Sequence, residues 1–559
     1  MLSNLVRSVL ILLLFFPIAL PADNPVPAPV ANEGLEHVQT IFQRLIEAKG
    51  DKRMKPPTLK WSFDVGQGAF YDPNTKNISF EETAYKVCKS FGDQADDAIA
   101  YILSHELIHY YKQHGWEAAF AKQFSGRQIA TDVDEDLRDI KQQETESDLL
   151  GGFLAYTAGY NTVGIAPEFL PKLYDAYPNW PKGQNPKYPT LEERVLLAQS
   201  TQKELEQLIE IFETANMLTA IEHYADAIDY FNYILSLYQS RELKNNMGVL
   251  HCMLALKEFL PAELKYCYPL EIDGEARLRY GTRGTSGAGT GNALRDSLLQ
   301  VGLNYFQEAI DLDADYQVAR LNLGNAHALL ALSNKGAEGA EELVDIHFEF
   351  ARAYAKQVRR LARQQDKKAT EANGAILLGI IAAEQGDSVD AVAYFKLDTS
   401  RLLSKANLNI LQGRPPLGPV GQSSAGFLPE EIDGFSLDDF IRAPAPDGAP
   451  VTVKGTQNRK WGIKTSGLTN SKILLDFLKK DQYAFFHLTS PGYAGETNEG
   501  IKLGMSQNDI LKAYKYPERV VQLSQGELLV YPAHQIMFFL DPAGKLTKWC
   551  VFRMKPDPE

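Results

Sequence analysis

The chain has 559 residues, 45% of them hydrophobic and 23% charged, with a formal net charge of −14. A single hydrophobic core does not extend to this length, so a multidomain protein is expected. The acidic balance, without any domain-scale basic patch, argues against nucleic acid and an anionic membrane surface as main partners.

In chain order, Arg7 precedes an apolar run from Val9 to Phe16, and Pro17 to Ala22 supply small and breaking residues. This is the layout of a cleavable secretory signal over 1–22, cut after Ala22. The run is well short of the roughly 20 apolar residues that cross a bilayer. No later segment spans either, so no transmembrane span is expected after cleavage. The protein is therefore expected in the periplasm or the medium, where disulfides persist. Four cysteines are present, of which Cys252 and Cys267 lie close enough in sequence to bridge neighbouring helices. Residues 23–32, rich in Pro and Ala, read as a linker.

From 33 to 200 the pattern mixes helices with a small sheet. Leu35, Val38, Ile41, Phe42 and Leu45 share one helical face. Ala69–Tyr71 and Asn77–Phe80 predict two strands, with Asp72-Pro73-Asn74 turning between them. Long helices are predicted around His105 and Glu144.

From 201 to 410 the pattern is nearly all helical. Leu323-Gly324 is echoed by Leu378-Gly379, and Ala227 with Phe231 by Ala391 with Phe395; Gly302, Phe306 and Ala309 stand in similar relation. These positions resemble tetratricopeptide repeats, with an insertion including Gly336 to Arg363 breaking the period. A plain helical bundle is the alternative. Such repeats offer a surface for a protein partner. Residues 411–457, dense in Pro, Gly, Ala and Asp, predict a linker. Residues 458–559 predict a small α+β module, with a short helix ending near Tyr514 and strands at Leu528–Tyr531, Gln535–Leu540 and Leu546–Phe552. That module resembles the SmpA/BamE-type envelope lipoproteins. The expected fold class is therefore mainly α with α+β parts.

The chemistry concentrates at His105-Glu106-Leu107-Ile108-His109. On a helix, residues four apart share a face, so both imidazoles reach one ion. Glu106 stands next to the first ligand, placed to take a proton from the attacking water. With only 10 His in the chain, this spacing arises by accident in roughly one in a hundred chains of such length. A third ligand is needed, and Glu144 supplies a carboxylate on the second helix. Asp148, four residues on, shares its face and is placed to accept a ring N–H from a ligand histidine. Glu146 is the alternative ligand, but it points about 200° from Glu144, so only one faces the metal. His114 lies off the shared face. Asp132, Asp134, Glu135 and Asp136 read as a solvated loop or helix start. Gly151 and Gly152 would let the two helices lie close.

His105-Glu106-x-x-His109 followed by Glu144-x-x-Ser147-Asp148 resembles the gluzincin peptidase family of HtpX, the CAAX prenyl protease and the periplasmic BepA-type enzymes. That family carries HExxH and then ExxAD, with Ser147 standing here in place of Ala. Ala158-Gly159-Tyr160-Asn161 is similar to the turn after its second helix. Pro189-Thr190-Leu191-Glu192-Glu193-Arg194 is similar to its His-Pro…Arg segment, although Tyr188 replaces the His. The resemblance implies a gluzincin peptidase domain over 33–200, binding one Zn²⁺ through His105, His109 and Glu144, with Glu106 as base. It implies metalloendopeptidase activity on a protein or peptide substrate, in envelope protein quality control or processing. Arg194 would hold the site together or face substrate. Substrate would lie extended along Ala69–Tyr71. The competing expectation is an envelope chaperone or assembly scaffold that keeps this fold for binding, with restrained activity. A hydrolase of cell-wall peptides is a third.

Overall fold

The structure is a computed structural model that describes residues 33–63, 66, 68–112, 133–177, 190–260, 262–271, 277–278, 292–398, 402–415, 430–436, 445–453, 458–477, 483–523, 526–541 and 543–555. The signal segment 1–22, the linker 23–32, His114, Asp132, Tyr188 and Pro189 lie outside them.

Helix α1 (Glu33–Lys49) turns Val38, Ile41, Phe42 and Leu45 into the core, the stripe that their spacing sets. Strands β1 (Thr58–Ser62), β2 (Ala69–Asp72) and β3 (Asn77–Glu81) form a sheet in the order β1-β3-β2. β1 runs parallel and β2 antiparallel to β3, leaving β2 at an edge. Asp72 closes the β2–β3 turn by accepting from Asn74 N at 2.9 Å and Thr75 Oγ1 at 2.6 Å. Helices α2 (Glu82–Lys89), α3 (Ala95–Lys112), α4 (Val133–Thr157) and α5 (Ile165–Ala176) follow. The acidic run Asp134-Glu135-Asp136 falls in the first turn of α4. α4 stops where Gly159 takes a φ of +91°, a left-handed conformation that costs glycine little.

Helix α6 (Leu191–Ala220) is capped by Thr190 and Glu193, each side chain bonding the other's backbone N–H. It carries Arg194 near its start and packs on α4, α5 and α7. The position 200, where the sequence pattern changes, falls within this one helix.

Then come α7 (Tyr224–Leu237), α8 (Arg241–Lys257), β4 (Arg277–Leu278), α9 (Asn292–Leu312), α10 (Gln317–Asn334), α11 (Glu341–Gln364), α12 (Lys368–Glu384), α13 (Ser388–Phe395) and α14 (Leu402–Leu411). Consecutive helices pair, and α8, α10, α12 and α14 lie side by side. The repeated glycines mark the close approaches. A Cβ at Gly248 would meet the Phe306 ring at 2.5 Å, and one at Gly379 the Phe395 ring at 2.6 Å. The stretch read as an insertion is helix α11, which packs between α10 and α12.

The face formed by the even-numbered helices carries a segment of the same chain. Asn407 exchanges both backbone hydrogen bonds with Cys267, accepting from its N at 2.8 Å and donating to its O at 2.9 Å. Asn325 donates to Pro269 O at 3.1 Å, and Asn245 to Glu271 O at 3.0 Å. Asn322 accepts from Glu271 N at 2.8 Å and donates to its O at 2.5 Å. The fully buried Glu271 carboxylate takes bonds from Thr370 and Asn373. No disulfide joins the four cysteines, Cys252 and Cys267 included.

Three short strands, β5 (Glu431–Ile432), β6 (Phe435–Ser436) and β7 (Val451–Val453), fall in the stretch read as a linker. β8 (Arg459–Lys464), β9 (Ser471–Phe477) and β10 (Tyr483–Thr489) precede α15 (Gln507–Tyr514), whose cap is a Ser506–Asp509 box. β11 (Arg519–Leu523), β12 (Gly526–Tyr531), β13 (Ile536–Leu540) and β14 (Leu546–Lys555) complete a nine-stranded sheet in the order β4-β11-β12-β13-β14-β10-β9-β8-β7. Both faces are covered. Leu474, Phe486, Met537 and Phe552 join the main helical core, while Leu475, Phe485, Phe538 and Trp549 pack with Ile510 and Tyr514 of α15. Charged groups fasten the sheet to α6 and α7. Arg459 lies 2.7 Å from Asp226 and 2.6 Å from Asp476, and Lys472 lies 2.6 Å from Glu213. The chain is thus mainly helical, a helical repeat region combined with α+β parts.

Candidate metal centre

Helices α3 and α4 meet at Gly151. A Cβ there would stand 2.9 Å from His105 N and 3.1 Å from His105 Cα, so only glycine allows this approach. The contact sets Asp148 and Glu144, one and two turns back along α4, against the histidine face of α3.

His105, His109 and Glu144 each offer a ligand atom within 4.8 Å of the others. Nε2 of His105 and Nε2 of His109 are 3.0 Å apart. Glu144 Oε2 is 3.5 Å from the first and Oε1 is 3.6 Å from the second. Asp148 Oδ1 lies 2.8 Å from Nδ1 of His105 and also accepts from Tyr101 OH at 3.1 Å. With its proton on Nδ1, His105 presents the Nε2 lone pair to the shared point. Arg194 reaches in from α6, its Nη1 2.7 Å from Glu144 Oε2 and its Nη2 3.6 Å from Asp148 Oδ2. Glu106 turns towards the small sheet, where its Oε2 accepts from Tyr71 N at 2.7 Å. The turn after α4 is tied down as well, Asn161 N donating to Asp97 at 2.8 Å.

Burial raises the Glu106 carboxyl to about 7, against the lowering influence of the His105 charge. Burial opposes ionisation of Glu144 too, but the Arg194 guanidinium and His105 outweigh it and hold the carboxyl far below its usual range. His105 is pushed up to about 10: burial works against its charge, and the Asp148 and Glu144 carboxylates overcome burial. A cation bound at His105 Nε2 would have to displace the proton there, and the same carboxylates would then face the cation.

The donor set fits zinc. Ligand atoms about 2.0–2.1 Å from a tetrahedral zinc lie about 3.4 Å from one another, and the separations here are 3.0, 3.5 and 3.6 Å. Two imidazoles and one carboxylate are the ligand types of a catalytic site with an open position.

His105, His109, Glu144, Asp148 and Arg194 converge, with Glu106 beside them. Glu146 does not join. It points to the other side of α4, where its Oε1 lies 2.5 Å from Lys112 Nζ. Sequence reasoning passed over Tyr101, although it stands four residues before His105 on the same helical face. It also passed over the Tyr71 N–H, a backbone group that has no signal in sequence.

No protein-family model and no curated protein matches the chain. Among solved structures, it aligns with a human IFIT1 dimer with PPP-AAAA at 11% identity and a TM-score of 0.17, covering 56% of this chain and 76% of that one. Among the described residues, no helix is long and apolar enough to cross a membrane.

Proposed function

We propose that the chain is an exported zinc-dependent endopeptidase, with residues 33–200, which include the start of α6, forming a peptidase domain of the gluzincin type. The observation that carries this reading is the 3.0–3.6 Å spacing of the His105, His109 and Glu144 ligand atoms. Zinc, when bound, supplies Lewis acidity towards a peptide carbonyl and towards the attacking water.

The chain's own residues do the rest. Asp148 fixes the tautomer and orientation of His105. Arg194 holds Glu144 ionised and oriented. Glu106 takes a proton from the attacking water and delivers it to the leaving amine, its carboxylate steadied by Tyr71 N. β2 is an edge strand at the site, which suits an extended substrate added alongside it. The test is Glu106→Gln in the full chain. Zinc content by mass spectrometry should stay at one per chain, while casein cleavage falls roughly 10²–10⁴-fold. Undiminished cleavage would remove Glu106 from the mechanism, and a zinc-free wild type would remove the proposal itself.

A further inference from the structure

Helix α11 shows an apolar seam to the outside. Phe348, Ala351, Ala355 and Val358 face inward and are buried against the repeat core. On the opposite side Leu343, Ile346 and Phe350 are 44%, 40% and 48% exposed, and Ala353 is exposed next to them. Their spacing of three, four and three residues is that of a coiled-coil seam, which seats a second helix knobs-into-holes.

The charges beside this seam are segregated. Glu342, Asp345 and Glu349 are exposed along its first half, and Lys356 and Arg360 along its second. Asp345 and Glu349 are like charges four residues apart, as are Lys356 and Arg360, and such pairs destabilise an isolated helix. The helix dipole favours this order of signs only within the first and last turns, and Asp345, Glu349, Lys356 and Arg360 lie between them. Among the described residues, no ion pair within the chain compensates these groups. Arg352 and Arg363 of the same helix, by contrast, are engaged with Gln385 and Glu371.

We propose that α11 is the interface of a homodimer, packing antiparallel against α11 of a second copy across a two-fold axis near Phe350 and Ala353. That arrangement sets the acidic half of each helix against the basic half of the other. At the axis Phe350 of each helix packs on Ala353 of the other, while Leu343 and Ile346 lie along the aliphatic stems of the other's Arg360 and Gln357, the self-complementary contact that two-fold symmetry requires. A parallel pairing would oppose like charges along the whole length, so the charge order selects the antiparallel one. The seam is one helix wide and about 36 Å long, smaller than a standard interface, so a micromolar, salt-sensitive dimer is expected. The proposal stands independently of the peptidase reading.

Sedimentation velocity on the full chain tests it. The wild type should dimerise below about 100 µM at low salt, with the dimer weakening about tenfold as salt is raised to several hundred millimolar. Phe350→Glu should be monomeric and lower the thermal unfolding temperature by only a few degrees, because the half-exposed ring gives up its contact with His327 and little else. Glu342→Lys with Glu349→Lys gives both halves of this flank a basic excess, and Lys356→Glu with Arg360→Glu gives both an acidic one. Each should be monomeric alone, and the two mixed should form a heterodimer. All four changes in one chain should restore the homodimer. A wild type that stays monomeric at about 100 µM, or a dimer that persists in Phe350→Glu or in either charge variant, overturns the proposal.

Discussion

Adding one methyl group at Gly151 should disturb the metal centre without touching a ligand. A Cβ there meets His105 N at 2.9 Å and Ser104 C at 3.1 Å, both backbone atoms with no rotamer to escape by. Relief requires α3 and α4 to part by several tenths of an ångström, which moves Glu144 away from both imidazoles. Overpacking of this kind costs about 1–3 kcal/mol, while Gly→Ala within a helix returns up to about 1 kcal/mol of propensity. Gly151→Ala should therefore lose at most about 2 kcal/mol of stability, but its zinc affinity should fall about 10–100-fold, the effect typical of displaced supporting geometry. Gly152→Ala is the control. Its Cβ meets the end of the Leu205 side chain, which can rotate away. Competitive zinc titration against a chromophoric chelator, with thermal unfolding in parallel, reads both quantities. Equal zinc affinity in Gly151→Ala and wild type would refute the idea that this helix contact sets the ligand geometry.

Glu144→Ala should lower zinc occupancy below one half at stoichiometric metal, whereas Glu146→Ala should leave it unchanged; elemental analysis of both separates the two acidic candidates. Asp148→Asn keeps a similar shape but frees the His105 tautomer and removes a charge, so zinc affinity should drop about 10–100-fold, measured by the same titration. The pH profile follows from Glu106. A general base works ionised, and burial has raised this carboxyl to about 7. A bound cation favours the carboxylate, so kcat/KM should rise with pH along an acid limb centred at or below 7, and a flat profile from about pH 5 to 8 would count against Glu106.

How much of this was legible in sequence depends on where each signal resides. His105, His109, Glu144 and Asp148 were readable because helical spacing alone places them on facing surfaces. Gly151 and Gly152 were readable as close approaches, but that Gly152 approaches Leu205 of α6 was not. β2 and β3 announced themselves through a turn, while β1 did not, since its residues are only partly buried and show no alternation. β9 and β10 were hidden for the opposite reason. Both faces of their sheet are covered, so Tyr483 to Thr489 reads as an unbroken buried run. Helix α11 looked like an insertion because its apolar residues are divided between an inner and an outer stripe. The chain segment on the even-numbered helices was invisible because asparagines hold it by its backbone, and backbone groups are the same in every sequence.

The docking of the C-terminal sheet gives a last prediction, on a buried charge pair. Arg459 sits between Asp226 of α7 and Asp476 of β9, at 2.7 and 2.6 Å, and Tyr230 OH donates to Asp476 at 2.6 Å. Asp476 is fully buried. Burial raises its carboxyl to about 6, with the Arg459 charge opposing. Because the folded value lies above the unfolded one, the native state holds the extra proton, and docking weakens as pH rises through about 4 to 6. Arg459→Met removes the opposing charge and leaves two carboxylates facing each other in a poorly solvated gap, a loss of about 3–5 kcal/mol. Changing Asp476→Leu as well removes the stranded charge, so the double variant should recover most of that loss. Hydrogen exchange of the β9 amides reports the local opening directly, without requiring the whole chain to unfold in one step. If Arg459→Met and Asp476→Leu add simply, these groups are not energetically coupled and the sheet is held by its apolar face alone.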